Sequence, residues 1–257
     1  MTVEDRMLIS VVVPAYNEAE FLRQTLERIQ QAFKENECQG IIWELIVCDN
    51  NSSDRTAVIA TEMGATVIFE PVNQIARARN SGASIAKGEW LLFIDADSYP
   101  TPDLMAETLN VVREGQFIGC GTTVEVVGGT MFNKLRMERL NPLFRLFNWS
   151  GGAYLLVQRD AFEAVGGFST DLYAYEEIDF VIRLKRYGRK QNKKFTVLHR
   201  HPVITSGRKG DIGFFSLGGL FVSNFLAVIL FGLHYLLPKA IVRWLGSRLL
   251  GYWYDQR

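Results

Sequence analysis

Cysteine is scarce in this 257-residue chain, which has only Cys38, Cys48 and Cys120. They are far apart, odd in number and in no metal-ligating spacing, which excludes a disulfide framework and a cysteine zinc site and points to a reducing compartment with inert thiols. Net charge is missing too, because 28 basic and 28 acidic side chains cancel. That removes the global basic field expected of a nucleic-acid partner, and no nucleic acid is expected. Phosphate loops are likewise absent. The first apolar run is followed by PAYNE (14–18) rather than GxGxxG, and GxxxxGK[ST] occurs nowhere, which sets aside hydride transfer and P-loop chemistry. The N-terminus, MTVEDRM, is acidic and the run after it is cut by Pro14, so no secretory leader is expected.

What is present is a series of short apolar runs alternating with amphipathic ones. Residues 8–13 are apolar and β-branched and stop at Pro14, which predicts a buried first strand. Asn17 or Glu18 then opens a helix on which Phe21, Leu22, Leu26, Ile29 and Phe33 share a stripe. Residues 44–48 are a second strand, followed by Asp49 and a polar turn where Ser53 or Asp54 can cap a helix running to Met63. A third strand (65–70), a helix (75–86) and a fourth strand (91–94) follow. This alternation predicts an α/β fold with a mostly parallel sheet, covered on both sides by helices. Past residue 112 the period changes. Strands are expected at 117–127, 151–157 and 194–199, and helices at 159–165 and 175–187, while 131–147 mixes apolar residues with Lys134, Arg136, Arg139 and Arg145.

The fourth strand runs into Asp95 and Asp97, one residue apart. In an open α/β sheet, ligands bind at the carboxyl ends of the strands, and the ends of strands one, two and four bring residues 14–18, Asp49 and the Asp95–Asp97 pair to one edge. Paired carboxylates there suit Mg²⁺ or Mn²⁺, whose remaining ligands are phosphate oxygens. The alternative is a strand-end turn in which Asp97 caps the next helix. A nucleotide with its nucleoside toward Asp49 and its diphosphate toward Asp97 fits the arrangement.

The second half has to supply the acceptor side. Glu176, Glu177 and Asp179 crowd a helix start, so one of them should have a raised pKa, as a general base at neutral pH requires, or else they simply complement the helix dipole. His199 and His201 flank Arg200 beyond a strand and alternate residues face one way, so His199, ahead of His201, is a candidate third metal ligand. Arg208 and Lys209 lie in a glycine-flanked loop and could close over a diphosphate. Residues 214–237 carry no formally charged side chain, and 239–257 mix Lys239, Arg243 and Arg248 with Trp244, Tyr252 and Trp253. The tail is therefore expected to meet a membrane surface, as a single span or in the interface, with a homo-oligomer contact as the alternative.

The segments VVVPAYNE (11–18), DNNSSDRT (49–56), the run 76–100, the run 151–168 and YEEIDF (175–180) together resemble the inverting family 2 glycosyltransferases of the GT-A fold, over about residues 7–209. The resemblance implies a GT-A domain at 1–210, with a nucleotide-sugar half (1–112) and an acceptor half (113–210); the apolar tail, 211–257, is by its own composition the part expected to associate with a membrane. It implies that Pro14, Ala15, Tyr16 and Glu18 line the nucleotide pocket and that Asp49 holds the base or ribose. Arg79 and Asn80 would lie by the donor, Asp95 would meet ribose or sugar, Asp97 would hold the metal, and Gly151 and Gly152 would shape the acceptor side. The family base is usually the Asp of a Glu-Asp pair, and here that position is Glu177. No QxxRW motif of the processive synthases occurs, so repeated polymer extension is not expected. The implied reaction is a metal-dependent, inverting single displacement from a nucleoside-diphosphate sugar, UDP first by family frequency, and the apolar tail makes a lipid-linked or cell-envelope saccharide at the cytoplasmic side of the membrane the expected acceptor. Nucleotidyl transfer to a sugar phosphate and an inactive membrane scaffold are the competing readings.

Overall fold

A computed structural model describes residues 7–36 and 40–207, together with Tyr235, Lys239, Ile241 and Leu245. The first apolar run becomes β1 (Met7–Ala15), buried from Ile9 onward. It is followed by α1 (Leu22–Lys34), β2 (Ile41–Asp49), α2 (Thr56–Glu62), β3 (Thr66–Phe69), α3 (Ile75–Ile85) and β4 (Trp90–Ile94). Then come β5 (Ser98–Tyr99), α4 (Pro102–Glu114), β6 (Phe117–Val127), α5 (Met131–Phe147), β7 (Tyr154–Gln158), α6 (Arg159–Ala164), α7 (Glu176–Lys190) and β8 (Lys194–Ser206).

The strands form one eight-stranded sheet in the order β3-β2-β1-β4-β7-β6-β8-β5. The first half pairs in parallel, with Val13 opposite Val47 and Val12 opposite Phe93. Both faces are covered, which is why the strands read as continuous apolar runs rather than alternating ones. Trp90, Leu92 and Ile94 of β4 pack with Leu22, Leu26, Leu104 and Met105 of α1 and α4, while Leu91 and Phe93 pack with Phe162, Phe168 and Phe180 on the other face. The α3 helix lies so close to β1 that a Cβ on Gly82 would stand 2.4 Å from Val12 Cγ1.

Three features depart from the residue pattern or were left open by it. The strand expected at 151–157 is β7, and it runs antiparallel to β4, with Ile94 opposite Tyr154. Its leading loop, not its end, therefore joins the carboxyl edge. The strand expected to stop at 199 continues to Ser206, but the β6 pairing jumps from Leu198 to Val203, so His199–Pro202 bulge out of the ladder. Proline cannot donate to a ladder, and a bulge is where a strand accepts it. Finally, Asp97 does not cap the following helix. The cap is Thr101, whose hydroxyl accepts from the Leu104 N–H at 3.1 Å.

Cys48 and Cys120 are free and buried. Burial pushes the Cys48 thiol up to about 12, in keeping with inert thiols. Cys38 and the expected apolar segment 214–237, apart from Tyr235, lie outside the described residues. Among the described residues no helix is long and apolar enough to cross a membrane.

The Gly82 contact gives a prediction whose sign opposes helix propensity. Alanine is the better helix former by about 1 kcal/mol, yet overpacking a buried β-branched neighbour costs roughly 1–3 kcal/mol. Gly82→Ala is therefore expected to lower stability by about 1–2 kcal/mol in urea denaturation. An unchanged or raised midpoint would mean that α3 can lift off β1 freely.

Candidate active site

Parallel pairing places Ala15 opposite Asp49, so the loops after β1 and β2 start side by side. They are stitched together by their own polar groups. The Asn17 N–H donates to Ser52 Oγ at 3.0 Å, the Glu18 N–H to Thr56 Oγ1 at 2.8 Å, and the Ala19 N–H to Asp54 Oδ2 at 3.0 Å. Asp54 also accepts from the Thr56 N–H at 2.9 Å, so it supports the start of α2, although the N-cap position itself is Arg55 rather than Ser53 or Asp54. Asp49 accepts from the Ser52 N–H at 3.0 Å. Pro14, Ala15, Glu18 and Asp49 are buried, and Tyr16 is half-buried.

Arg79 is the centre of the site. It projects from α3 and is only 2% exposed. Its Nη1 donates to Glu176 Oε1 at 2.9 Å, and its Nη2 donates to Asp95 Oδ1 at 3.0 Å and to the Gly152 carbonyl at 3.2 Å. One guanidinium thus ties the end of β4, the loop before β7 and the first turn of α7. Burial works against its charge, but Asp95, Glu176 and Glu177 outweigh that and hold its pKa above the ordinary value. Gly152 is required by contact, because a Cβ there would stand 2.3 Å from Arg79 Nη2. The Phe168 ring lies under the guanidinium, 5.2 Å from centroid to Cζ. Asn80 fixes that ring by bonding both the N–H and the carbonyl of Phe168 at 2.9 Å.

The three acids of α7 separate into different roles. Glu176 is committed to Arg79. Asp179, 1% exposed, is bound by Arg183 Nε at 2.7 Å and by the Tyr235 hydroxyl at 2.8 Å. These contacts anchor the first turn of α7. Arg183 also donates to the carbonyls of Val165 and Gly167, locking the loop before α7. Glu177 is half-buried beside Glu176, and burial first, then the neighbouring Glu176 carboxylate, push its pKa from 4.5 up to about 8, with Arg79 pulling the other way.

The donor set on the Asp95–Asp97 loop is all oxygen, with Asp97 5% exposed as a residue and the Asp95 side chain 22% exposed. Among the described residues no group of three His, Cys, Asp or Glu is gathered for a metal. That set fits Mg²⁺ or Mn²⁺ completed by phosphate and water, and does not fit an all-protein cage. His199 does not join it. The bulge leaves His199 exposed, and the β8 residue bonded to Asp97 is Ser206, whose N–H donates to the Asp97 carbonyl at 3.1 Å. His201 turns instead to α4, with Nδ1 3.2 Å from Glu107 Oε1. Arg208 and Lys209 lie outside the described residues.

Several residues at this edge carry no signal in the sequence pattern. Asn50 is 3% exposed and bonds the carbonyls of Glu70 and Val72 and the N–H of Gln74, while Gln74 Nε2 reaches the carbonyls of Thr170 and Leu172. The local hint is an amide directly after β2, Asn50, and another at the start of α3, Gln74. The tail also contributes: besides Tyr235, Lys239 Nζ lies 3.8 Å from Asp171 Oδ2, and Leu245 belongs to the same hydrophobic cluster as Tyr173, Ala174 and Tyr175.

Acids gathered at the carboxyl edge of a mostly parallel sheet, without a glycine phosphate loop, define a GT-A type of α/β domain. The chain belongs to glycosyl transferase family 2, whose model matches residues 10–212. It is 30% identical over 191 residues to an uncharacterized glycosyltransferase of Haemophilus influenzae, covering 69% of this chain and 62% of that protein. It is 24% identical over 260 residues to the glycosyltransferase AglE of Haloferax volcanii, covering 90% of this chain and 82% of that one. A mannosyltransferase structure from Pyrobaculum calidifontis, in complex with GDP-Man and Mn²⁺, superposes with a TM-score of 0.59 at 20% identity, over 79% of this chain and 57% of that one. The chain thus spans less than two thirds of the Haemophilus and Pyrobaculum proteins.

The Arg79 clamp predicts a large stability effect. Removing one partner of a buried ion network costs about 3–5 kcal/mol, because the other charges remain buried without compensation. Arg79→Ala is expected to lose that amount in chemical denaturation. Arg79→Lys, which keeps the charge but not the fork, should recover only part of it. Equal stability of all three proteins would remove the clamp from the argument.

Proposed function

We propose that this chain transfers a sugar from a nucleoside-diphosphate sugar to a hydroxyl of a saccharide acceptor, lipid-linked or belonging to the cell envelope, with inversion at the anomeric carbon. The observation that carries this reading is the Arg79 clamp, which holds the donor-side Asp95 and the α7 turn bearing Glu177 at one crevice. Two structural relatives support the donor class: the Pyrobaculum mannosyltransferase bound to GDP-Man and Mn²⁺, and a Mycobacterium tuberculosis glucosyl-3-phosphoglycerate synthase bound to Mn²⁺, UDP and glucosyl-3-phosphoglycerate. UDP-sugars and GDP-mannose are therefore the first donors to try.

In this mechanism residues 14–18 and Asp49 receive the nucleoside, and Asp97, with Asp95 beside it, holds the divalent cation. When bound, that cation offsets charge on the departing diphosphate. Arg79 fixes the distance between the donor end and α7. Glu177 takes the proton from the acceptor hydroxyl as the oxygen attacks the anomeric carbon opposite the diphosphate, so an α-linked donor gives a β-linked product. One base suffices, because the diphosphate leaves as an anion without being protonated. A hydrolase, by contrast, needs two carboxylates across the bond.

The test uses the full chain in mild detergent with Mn²⁺ or Mg²⁺ and a panel of nucleotide sugars. Asp97→Ala is expected to lose metal-dependent donor binding. Glu177→Gln should keep donor binding while transfer, read as kcat, falls by about 10²–10⁴-fold. No donor binding by the folded wild-type protein with metal present would sink the proposal.

The raised pKa of Glu177 makes a second, pH-dependent prediction. A base works only when deprotonated, so kcat/KM should rise with pH through an apparent value of about 8. Stability runs the other way. The folded-state pKa lies above the ordinary 4.5, so the folded chain holds the Glu177 proton more tightly, and stability is lost as pH rises from about 4.5 to about 8. Glu177→Gln removes this dependence, so its melting temperature should exceed that of wild type above pH 8 and approach it in acid. A constant difference across that range would contradict the assignment.

A further inference from the structure

The α5 helix turns part of its apolar set outward, while Met137, Leu140 and Phe144 are half-buried. Met131, Leu135, Pro142 and Leu146 recur at i, i+4, i+11 and i+15, a stripe about 60° wide at 100° per residue. All four are exposed, with Met131 at 73%, Leu135 at 46% and Leu146 at 72%. The helix is held to the sheet from its other side, where Asn141 bonds both the N–H and the carbonyl of Val124 at 3.0 and 2.9 Å and Met137 meets the core. Exposed Lys134 and Arg145 lie along one edge of the stripe, with exposed Glu138 between them and it. The helix sequence has four basic residues and one acidic, in a chain whose net charge is zero.

We propose that this face of α5 docks on a bilayer surface bearing anionic lipid. An apolar stripe edged with basic residues is the pattern that lies in a lipid interface, where the aliphatic groups enter the acyl boundary and the cations meet headgroup phosphates. A second copy of the chain fits less well. One stripe on a helix about 25 Å long falls short of the roughly 800 Å² per partner that a stable protein interface buries.

The position of α5 gives the docking a consequence. Its last residue, Phe147, stacks on Trp149 at 4.9 Å, and the Phe147 carbonyl accepts from Lys185 Nζ of α7 at 2.7 Å. The chain then passes through Ser150 to Gly152, whose carbonyl belongs to the Arg79 clamp. A bilayer held against α5 therefore lies beside the acceptor end of the crevice. If the transferase reading holds, this selects an acceptor whose saccharide is carried on a membrane lipid; the docking itself does not depend on that reading.

The test is sedimentation of the full chain with vesicles of phosphatidylcholine alone and of phosphatidylcholine mixed with phosphatidylglycerol. Wild type is expected to bind the mixed vesicles more tightly and to release as salt rises. Leu135→Glu with Leu146→Glu should weaken that binding by roughly tenfold or more, with nucleotide-sugar binding unchanged. Lys134→Glu with Arg145→Glu, which alters only exposed charges, should abolish the preference for anionic vesicles and guards against misfolding of the first variant. Binding equal to wild type in both variants would overturn the proposal by placing the lipid contact elsewhere. So would a change in oligomeric state with no change in vesicle binding. Loss of nucleotide-sugar binding by wild type would count against the transferase reading alone.

Discussion

A buried guanidinium is the constraint on which the candidate site depends. Arg79 cannot shed its charge, so the fold must surround it with acceptors, and it does so from three directions: Asp95, Glu176 and the Gly152 carbonyl. The bond to Glu176 spans 97 residues of sequence. Because the fork is planar and its directions are fixed, satisfying it sets the separation between the end of β4 and the start of α7. The same packing leaves Glu177 beside a second carboxylate in poor contact with water, and its raised pKa follows from that placement.

The antiparallel entrance of β7 makes the clamp possible. Had β7 run parallel to β4, Gly151–Gly152 would lie at the opposite edge, far from Asp95. With Tyr154 opposite Ile94, the glycine loop comes to the carboxyl edge, and the missing side chain at Gly152 gives the guanidinium its space. Asn80 and Phe168 complete the floor, and Arg183 with Asp179 and Tyr235 secures α7 from behind. The tail residue Tyr235 thus enters the account as a support for α7, a role distinct from the membrane contact expected of its segment.

Much of this was legible in residue order. The strands of the first half, their two-faced burial, the Asp95–Asp97 loop and the meeting of Asp49 with residues 14–18 follow from local apolar periodicity and from the rule that parallel strands bring their ends to one edge. Other features were not legible. Alternation along an extended segment suggested that His199 and His201 face one site, but the bulge before Val203 breaks the alternation and turns His201 toward Glu107. Likewise, three acids in one helical turn look equivalent in sequence, whereas contacts from distant elements divide them into a clamp partner, an anchor and a raised carboxyl.

The sequence by itself determined the class of fold, the family and the acidic edge, because burial pattern and short motifs are encoded by neighbours in the chain. Only the tertiary structure decided the direction of β7, the separate roles of Glu176, Glu177 and Asp179, and the outward apolar face of α5. Each of these depends on which distant groups satisfy a buried charge or cover an apolar face, and that balance exists only once the chain has packed.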